Sequence, residues 1–250
     1  MAYKVLNNVS VKDVTSSDLL SLKTDLLVIV INKNTKDKVV NQLAKDVSSH
    51  LKESGSSVLV PNAKSFNAKN VLLVKGFQDS DQIHKLISMY QSIAQKGNQL
   101  KAKDISIMPG TVYPKGKCEM WLIEMVAKTI ESNVYIFSET CNKTAKKPSV
   151  KKLNILVSSL TKSDLIKAKN AAKKGYAIGE GVNSAKYLGD LPANHCTPRI
   201  IEKKVKAMTK DFPKLKVKSF NENQMKKMGL GSFLGVYRGS EEPARMRVME

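Results

Sequence analysis

Leu26-Leu-Val-Ile-Val-Ile31 is an unbroken apolar, β-branched run of strand length, and its reading decides the fold class. A strand with one solvated face alternates polar and apolar side chains. A continuous run is the pattern of a strand covered on both faces, as in sheets flanked by helices. Downstream, Asp37 can cap a helix that places Val40, Leu43, Val47 and Leu51 on one face, and Gly55 ends it. Ser57 to Val60 and Val71 to Val74 read as two further strands joined through Pro61 and an Asn-rich segment. His84, Leu86, Ile87, Tyr90 and Ile93 mark a second helix, and Ile105 to Met108 a strand closed by Pro109-Gly110. Met120 to Ile130 gives a third helix with Leu122, Met125, Val126 and Ile130 inward; Val134 to Phe137 and Leu153 to Val157 complete the strands. Alternation of this kind predicts an α/β domain over residues 1–160, a mixed or mostly parallel sheet flanked by helices. None of its turns carries a phosphate-binding glycine fingerprint, which disfavours a dinucleotide site.

Past Cys141 to Lys152, a lysine-rich connection containing Pro148, Thr161-Lys-Ser-Asp164 resembles a capping box, with Asp in the reach-back position. From there one long helix spans residues 161–190, with Leu165, Ala168, Ala172, Tyr176, Gly179, Val182 and Leu188 inward. The small residues of that row, with neighbouring Ala185, permit close helix approach. Glycines at 175, 179 and 181 each cost roughly 1 kcal/mol against alanine in a helix interior, so this helix is expected to pack on a partner. Thr197-Pro198 starts another helix, with Ile201, Val205 and Met208 as its buried stripe. Lys214 to Phe220 reads as a strand, Asn221 caps a short helix closed by Gly229, and Ser232 to Tyr237 and Arg245 to Met249 read as strands. Residues 191–250 therefore look like the incomplete start of a second α/β domain.

At 250 residues, 42% of them hydrophobic, the chain is long enough for one large or two ordinary domains with real cores. Met1-Ala-Tyr-Lys-Val-Leu has no signal-peptide core, and no apolar run approaches membrane-spanning length; the expectation is a cytoplasmic protein with no membrane partner. The outlier is a formal charge of +20, carried almost entirely by lysine, since arginine occurs only at 199, 238, 245 and 247. Between Lys143 and Lys174 ten lysines face one acid, Asp164. Such a block fits nucleic acid or an acidic partner. It also fits a solvated surface, which the lack of interleaved aromatic residues favours.

No local constellation carries chemistry. Cys118, Cys141 and Cys196 lack paired metal spacing, and His50, His84 and His195 are far apart. His195 and Cys196 are adjacent on a turn, where side chains point apart, whereas catalytic pairs meet through space. Pro192 and Asn194 read as setting that turn's backbone geometry. Glu241, Glu242 and Glu250 are the carboxylates near the C-terminal end, too few and too scattered for a two-metal site.

The stretch Gly175-Tyr-Ala-Ile-Gly-Glu-Gly-Val-Asn-Ser-Ala-Lys-Tyr-Leu-Gly-Asp190, followed by Leu191-Pro-Ala-Asn-His-Cys-Thr-Pro198, resembles the leucyl aminopeptidase (cytosol aminopeptidase) family. Asn223-Gln-Met-Lys-Lys-Met-Gly-Leu-Gly-Ser-Phe-Leu-Gly-Val-Tyr-Arg-Gly-Ser240 follows at the expected distance. The resemblance is specific from about Lys162 to Glu250 and only architectural before it. It implies a non-catalytic N-terminal domain, a bridging helix, and the start of the catalytic domain of a two-metal exopeptidase. That enzyme removes N-terminal residues from peptides with zinc or manganese as a homo-hexamer. The family's lysine, aspartates and Asp-x-Glu-Gly-Arg segment all lie downstream of the positions present here. Accordingly no catalytic, cofactor-binding or metal-ligating residue is assigned, no metal is expected on this chain, and it is expected to be catalytically inactive alone. Two rival readings accompany this one: a lysine-rich non-catalytic protein binding DNA or another partner, and a truncated gene product exposing apolar surface after about residue 198.

Overall fold

The computed structural model describes residues 4–32, 40–41, 45, 51–53, 55–77, 83–111, 113–142, 147–158 and 160–250. They divide into two compact units, Lys4–Asn183 and Ser184–Glu250.

The larger unit is built on a six-stranded sheet. Its strands are β1 (Asn8–Asp13), β2 (Thr24–Ile31), β3 (Ser57–Pro61), β4 (Ala68–Lys75), β5 (Asp104–Met108) and β6 (Lys152–Val157). They lie in the order β1-β6-β5-β2-β4-β3, all neighbours parallel except the edge pair β3–β4. The continuous apolar run is the central strand, β2. Leu27 and Ile29 point into a core with Val71, Leu73, Leu156, Phe66 and Leu19, while Leu26 and Val28 are equally buried on the other face. Helices α1 (Ser16–Ser21), α2 (Ile83–Gln99), α3 (Glu119–Val134) and α4 (Lys162–Asp190) accompany the sheet. Val40 and Leu51 are buried as the apolar pattern requires; Asp37, Leu43, Val47 and His50 lie outside the described residues.

A polar row crosses this apolar sheet. Ser10 Oγ donates to Asn154 Oδ1 (2.8 Å), Asn154 Nδ2 to Ser106 Oγ (3.0 Å) and Ser106 Oγ to Thr24 Oγ1 (3.1 Å), which donates to Asp104. Register places Ser10 and Ser106 opposite Asn154, so the hydroxyls and amide satisfy one another across four strands.

Strand β1 and helix α1 are two elements that hydrophobic patterning misses. Asn-Val-Ser-Val-Lys-Asp is too polar to stand out, and α1 is fixed by a capping box in which Thr15 and Asp18 exchange hydrogen bonds. Conversely, Val134 to Phe137 is not a strand. Helix α3 runs on to Val134, whose carbonyl accepts from Asn98 Nδ2 (2.9 Å), and β5 pairs directly with β6, leaving no place between them. The connection before β6 is tied down where it is described: Ser149 N donates to Asn98 Oδ1 and Lys151 N to Lys103 O.

Helix α4 buries Ala168, Ala172, Gly175, Gly179 and Asn183, a stripe of small residues at steps of three and four. The reason lies in α3. A Cβ on Gly175 would fall 2.1 Å from the Glu124 carbonyl oxygen, and one on Gly179 would fall 2.7 Å from Glu131 Cβ. The helices approach so closely that larger side chains have no room. Val182 is consequently on the exposed side, and buried Asn183 takes the inward place expected of it.

The smaller unit contains helix α5 (Pro198–Asp211), strand β7 (Val217–Asn221), helices α6 (Glu222–Lys227) and α7 (Gly231–Tyr237), and strand β8 (Arg245–Met249). Strands β7 and β8 form an antiparallel pair. Asn221 caps α6 in a full capping box with Gln224, and Gly229, with φ of 72°, closes it. Two expectations fail here. Ser232 to Tyr237 is the helix α7, not a strand: Leu234 N donates to Leu230 O, and so short an apolar run does not distinguish the two by period. The stripe on α5 is not fully buried, since Ile201 is exposed and Val205 and Met208 only half-buried.

Candidate functional site

The signature turn sits between α4 and α5 and is held by main-chain bonds. The amides of His195 and Cys196 both donate to the Pro192 carbonyl, at 2.8 and 3.0 Å. His195 and Asn194 are exposed, Cys196 is half-buried, and the cysteines are free thiols. Thr197 precedes α5 in extended conformation, with Pro198 in the first turn. The turn is a geometric device that lets one helix end and another begin. Beside it the Lys204 ammonium lies 4.3 Å from the centre of the Tyr187 ring, a cation–π contact.

Four of the seven side-chain carboxylates of the smaller unit (Glu202, Glu222, Glu242 and Glu250) are paired with cations. Arg199 Nη2 binds Glu242 at 2.9 Å and Lys218 Nζ binds Glu250 at 2.9 Å. Glu222 pairs with Lys226 at 2.7 Å. Glu202 is the most heavily used: Lys206 lies at 2.7 Å, Arg245 at 3.4 Å, and Arg247 is in direct contact. Lys206 first, and then Arg247, hold its carboxyl down to about 2. A two-metal site needs several carboxylates free to converge on the ions. These four are each paired with lysine or arginine, an arrangement that does not fit such a site. Among the described residues no group of three His, Cys, Asp or Glu side chains could hold a metal ion.

The larger unit holds one acid that sequence inspection passed over. Glu131 is fully buried on α3; it accepts from the amides of Val5 and Leu6, both at 3.0 Å, and from Asn183 Nδ2 at 3.0 Å. Burial raises its pKa, partly opposed by those three donors. Tyr176 donates to the Leu6 carbonyl (2.8 Å), and Lys4 pairs with Glu180 at 3.5 Å. This is a clamp fastening residues 4–6 to α3 and α4. An acid among Ile130, Val134 and Val126 was the available signal.

The lysine block stays on the surface where it is described. Lys162, Lys167, Lys169, Lys173 and Lys174 of α4 are exposed; Lys167 pairs with Asp164 and Lys174 with Glu124. Lys143 and Lys146 lie outside the described residues. No helix among the described residues is long and apolar enough to cross a membrane.

Comparison with known proteins places these features. The family model for the cytosol aminopeptidase family, catalytic domain, matches residues 183–250. A probable cytosol aminopeptidase of Pseudomonas paraeruginosa is 30% identical over 200 residues, covering 78% of this chain and 39% of its own. That of Azotobacter vinelandii is 29% identical over 251 residues, covering 95% of this chain and 50% of its own. Among solved structures, a tomato leucine aminopeptidase mutant superposes with a TM-score of 0.72 at 19% identity, covering 98% of this chain and 50% of that one. A bottromycin maturation enzyme in complex with Mn gives 0.68 at 17% identity, covering 90% and 45%. The structural likenesses show the fold, mixed α/β with a mostly parallel central sheet. The chain spans about half the length, or less, of the curated relatives it matches. Matched by sequence through both units, by the family model over its last residues and by fold over nearly its whole length, the chain belongs to the cytosol (leucyl) aminopeptidase family.

Proposed function

We propose that these 250 residues are the N-terminal, non-catalytic portion of a leucyl aminopeptidase. The whole enzyme removes N-terminal residues from peptides, using two divalent ions, zinc or manganese, in a cytoplasmic homo-hexamer. In such chemistry the metals polarise the scissile carbonyl and activate water. The chain's own contribution is structural: an α/β domain over residues 1–160, a bridging helix over 161–190, and the opening of the catalytic domain from 191. The observation that carries this reading is how four of the seven side-chain carboxylates of residues 183–250 are used. Glu202, Glu222, Glu242 and Glu250 each sit on a lysine or arginine, and such pairing opposes metal coordination. The test is hydrolysis of leucine p-nitroanilide by the purified chain with added Mn²⁺ or Zn²⁺. No turnover above the protein-free blank is expected; metal-dependent turnover removed by a chelator would overturn the proposal.

A second reading, a DNA-binding surface, rests on the exposed lysines of α4. Phosphate-driven binding falls steeply with salt. Affinity for a random duplex that is measurable at low salt and lost on raising it supports this reading; negligible affinity at low salt removes it.

A further inference from the structure

Strand β8 turns an arginine pair toward α5. Arg245 and Arg247 are two residues apart and so share one face of the β7–β8 pair, and both reach Glu202 of α5. Lys206, one helical turn beyond Glu202, joins them. Three cations thus meet one carboxylate, a local excess of two positive charges. The arrangement is not a surface accident: the Arg247 side chain is 7% exposed and that of Glu202 12%. A buried guanidinium ordinarily has each N–H directed at an acceptor, because a buried donor left unpaired loses its hydration without replacement, and a charged one loses more. Here the Nη1 of Arg247 is spent on main-chain oxygens of Phe220 and Met246, while its Nε is buried with no acceptor. Arg245 Nε is also buried without a hydrogen bond, at ion-pair distance only from Glu202. The rest of Arg245 and the Lys206 ammonium open to solvent, at 33% and 59% exposed, which gives an approach to the cluster.

We infer that the α5–β8 cluster of Lys206, Arg245 and Arg247 is an oxyanion site for a phosphate dianion, either free phosphate or the phosphoryl end of a small phosphomonoester. Phosphate brings a charge of about −1.5 to −2 at neutral pH, which matches the local excess in sign and size, and several acceptor oxygens for donors that converge from different directions. Arginine is the residue suited to such planar, forked contact, and two of the chain's four arginines are placed here. Glu202 then acts as the positioning group that holds the three cations together while competing with the anion for them.

The experiment is equilibrium dialysis of the full 250-residue chain against radiolabelled inorganic phosphate at constant ionic strength in chloride, with α-glycerol phosphate as competitor. A single saturable site per chain is expected, above the non-saturable adsorption of a lysine-rich surface. Arg247→Met should weaken it about ten-fold or more, the effect of losing one charged hydrogen bond. That variant leaves Glu202 paired with Lys206 and Arg245, so no buried charge is stranded and the unit should fold; Arg245→Met provides the same readout from the open side. Glu202→Gln should tighten binding several-fold by removing the competing charge. Displacement by glycerol phosphate at comparable concentration assigns the site to phosphomonoesters, and failure to displace assigns it to free phosphate. Absence of saturable binding in the wild type, or equal binding in wild type and both arginine variants, would overturn the site. None of these outcomes depends on whether the chain hydrolyses peptides.

Discussion

Glu131 is the residue on which the larger unit turns. Its carboxylate gathers two main-chain amides and the Asn183 amide in a place without solvent. Removing it leaves the Val5 and Leu6 amides unpaired, while Asn183 Nδ2 keeps only the Glu131 main-chain carbonyl, so Glu131→Ala should destabilise the unit by about 3 kcal/mol in a urea titration. Glu131→Gln keeps one acceptor oxygen and sheds the cost of burying charge, so its loss should be smaller. The pH dependence follows from direction. With its folded pKa raised, this group's contribution is fully present below its unfolded value of 4.5 and is lost as pH rises through the folded value. Glu202 has the opposite sign: its pKa is depressed to about 2, so its contribution is present above 4.5 and lost as pH falls toward about 2. Acid titration of stability followed by a probe in residues 184–250 should therefore show a loss over that window that Glu202→Gln abolishes.

At the scale of elements, helix α4 shows how much of a fold is legible in one chain. Its existence, its length and its small-residue face could all be read from Ala168, Ala172 and Gly179. The reason for that face could not, because it is a property of α3: the Glu124 carbonyl and the Glu131 side chain stand where any Cβ would go. Gly175→Ala should cost about 1–3 kcal/mol of stability despite alanine's better helix propensity, measured by thermal or urea unfolding. Gly181→Ala, with open space around it, should instead be stabilising by up to about 1 kcal/mol. The strand set was legible wherever burial on both faces produced an unbroken apolar run, as in β2 and β4. It was not legible in β1, whose alternating polar residues serve the Ser10–Asn154–Ser106 row. It was misread in Ser232 to Tyr237, where a short apolar run is a helix with Phe233 and Val236 exposed. The candidate site was legible in a different sense: the turn from Leu191 to Pro198 could be recognised, and Glu202–Lys206 is a local helical pair, but the arginine pairings of Glu202 and Glu242 cross 40 residues or more of sequence that no local pattern encodes.

For the molecule as a whole, the two units differ in how well they are covered. The larger has a continuous two-faced core; in the smaller, Ile201, Phe212, Met228, Phe233, Val236, Val248 and Met249 are exposed within 67 residues (184–250). Apolar surface at that density favours association. Light scattering of the chain at rising concentration should show self-association that Phe233→Ser together with Val236→Ser reduces, with little change in the stability of residues 4–183. The central claim is that this chain supplies the scaffold of an aminopeptidase and not its metal chemistry. The most direct test is the metal content of the purified chain after exposure to Mn²⁺ and then Zn²⁺ and dialysis, measured by atomic emission. The account predicts no stoichiometric retention of either ion. Retention of two equivalents per chain, lost in parallel with any hydrolysis of leucyl substrate when a chelator is added, would contradict it.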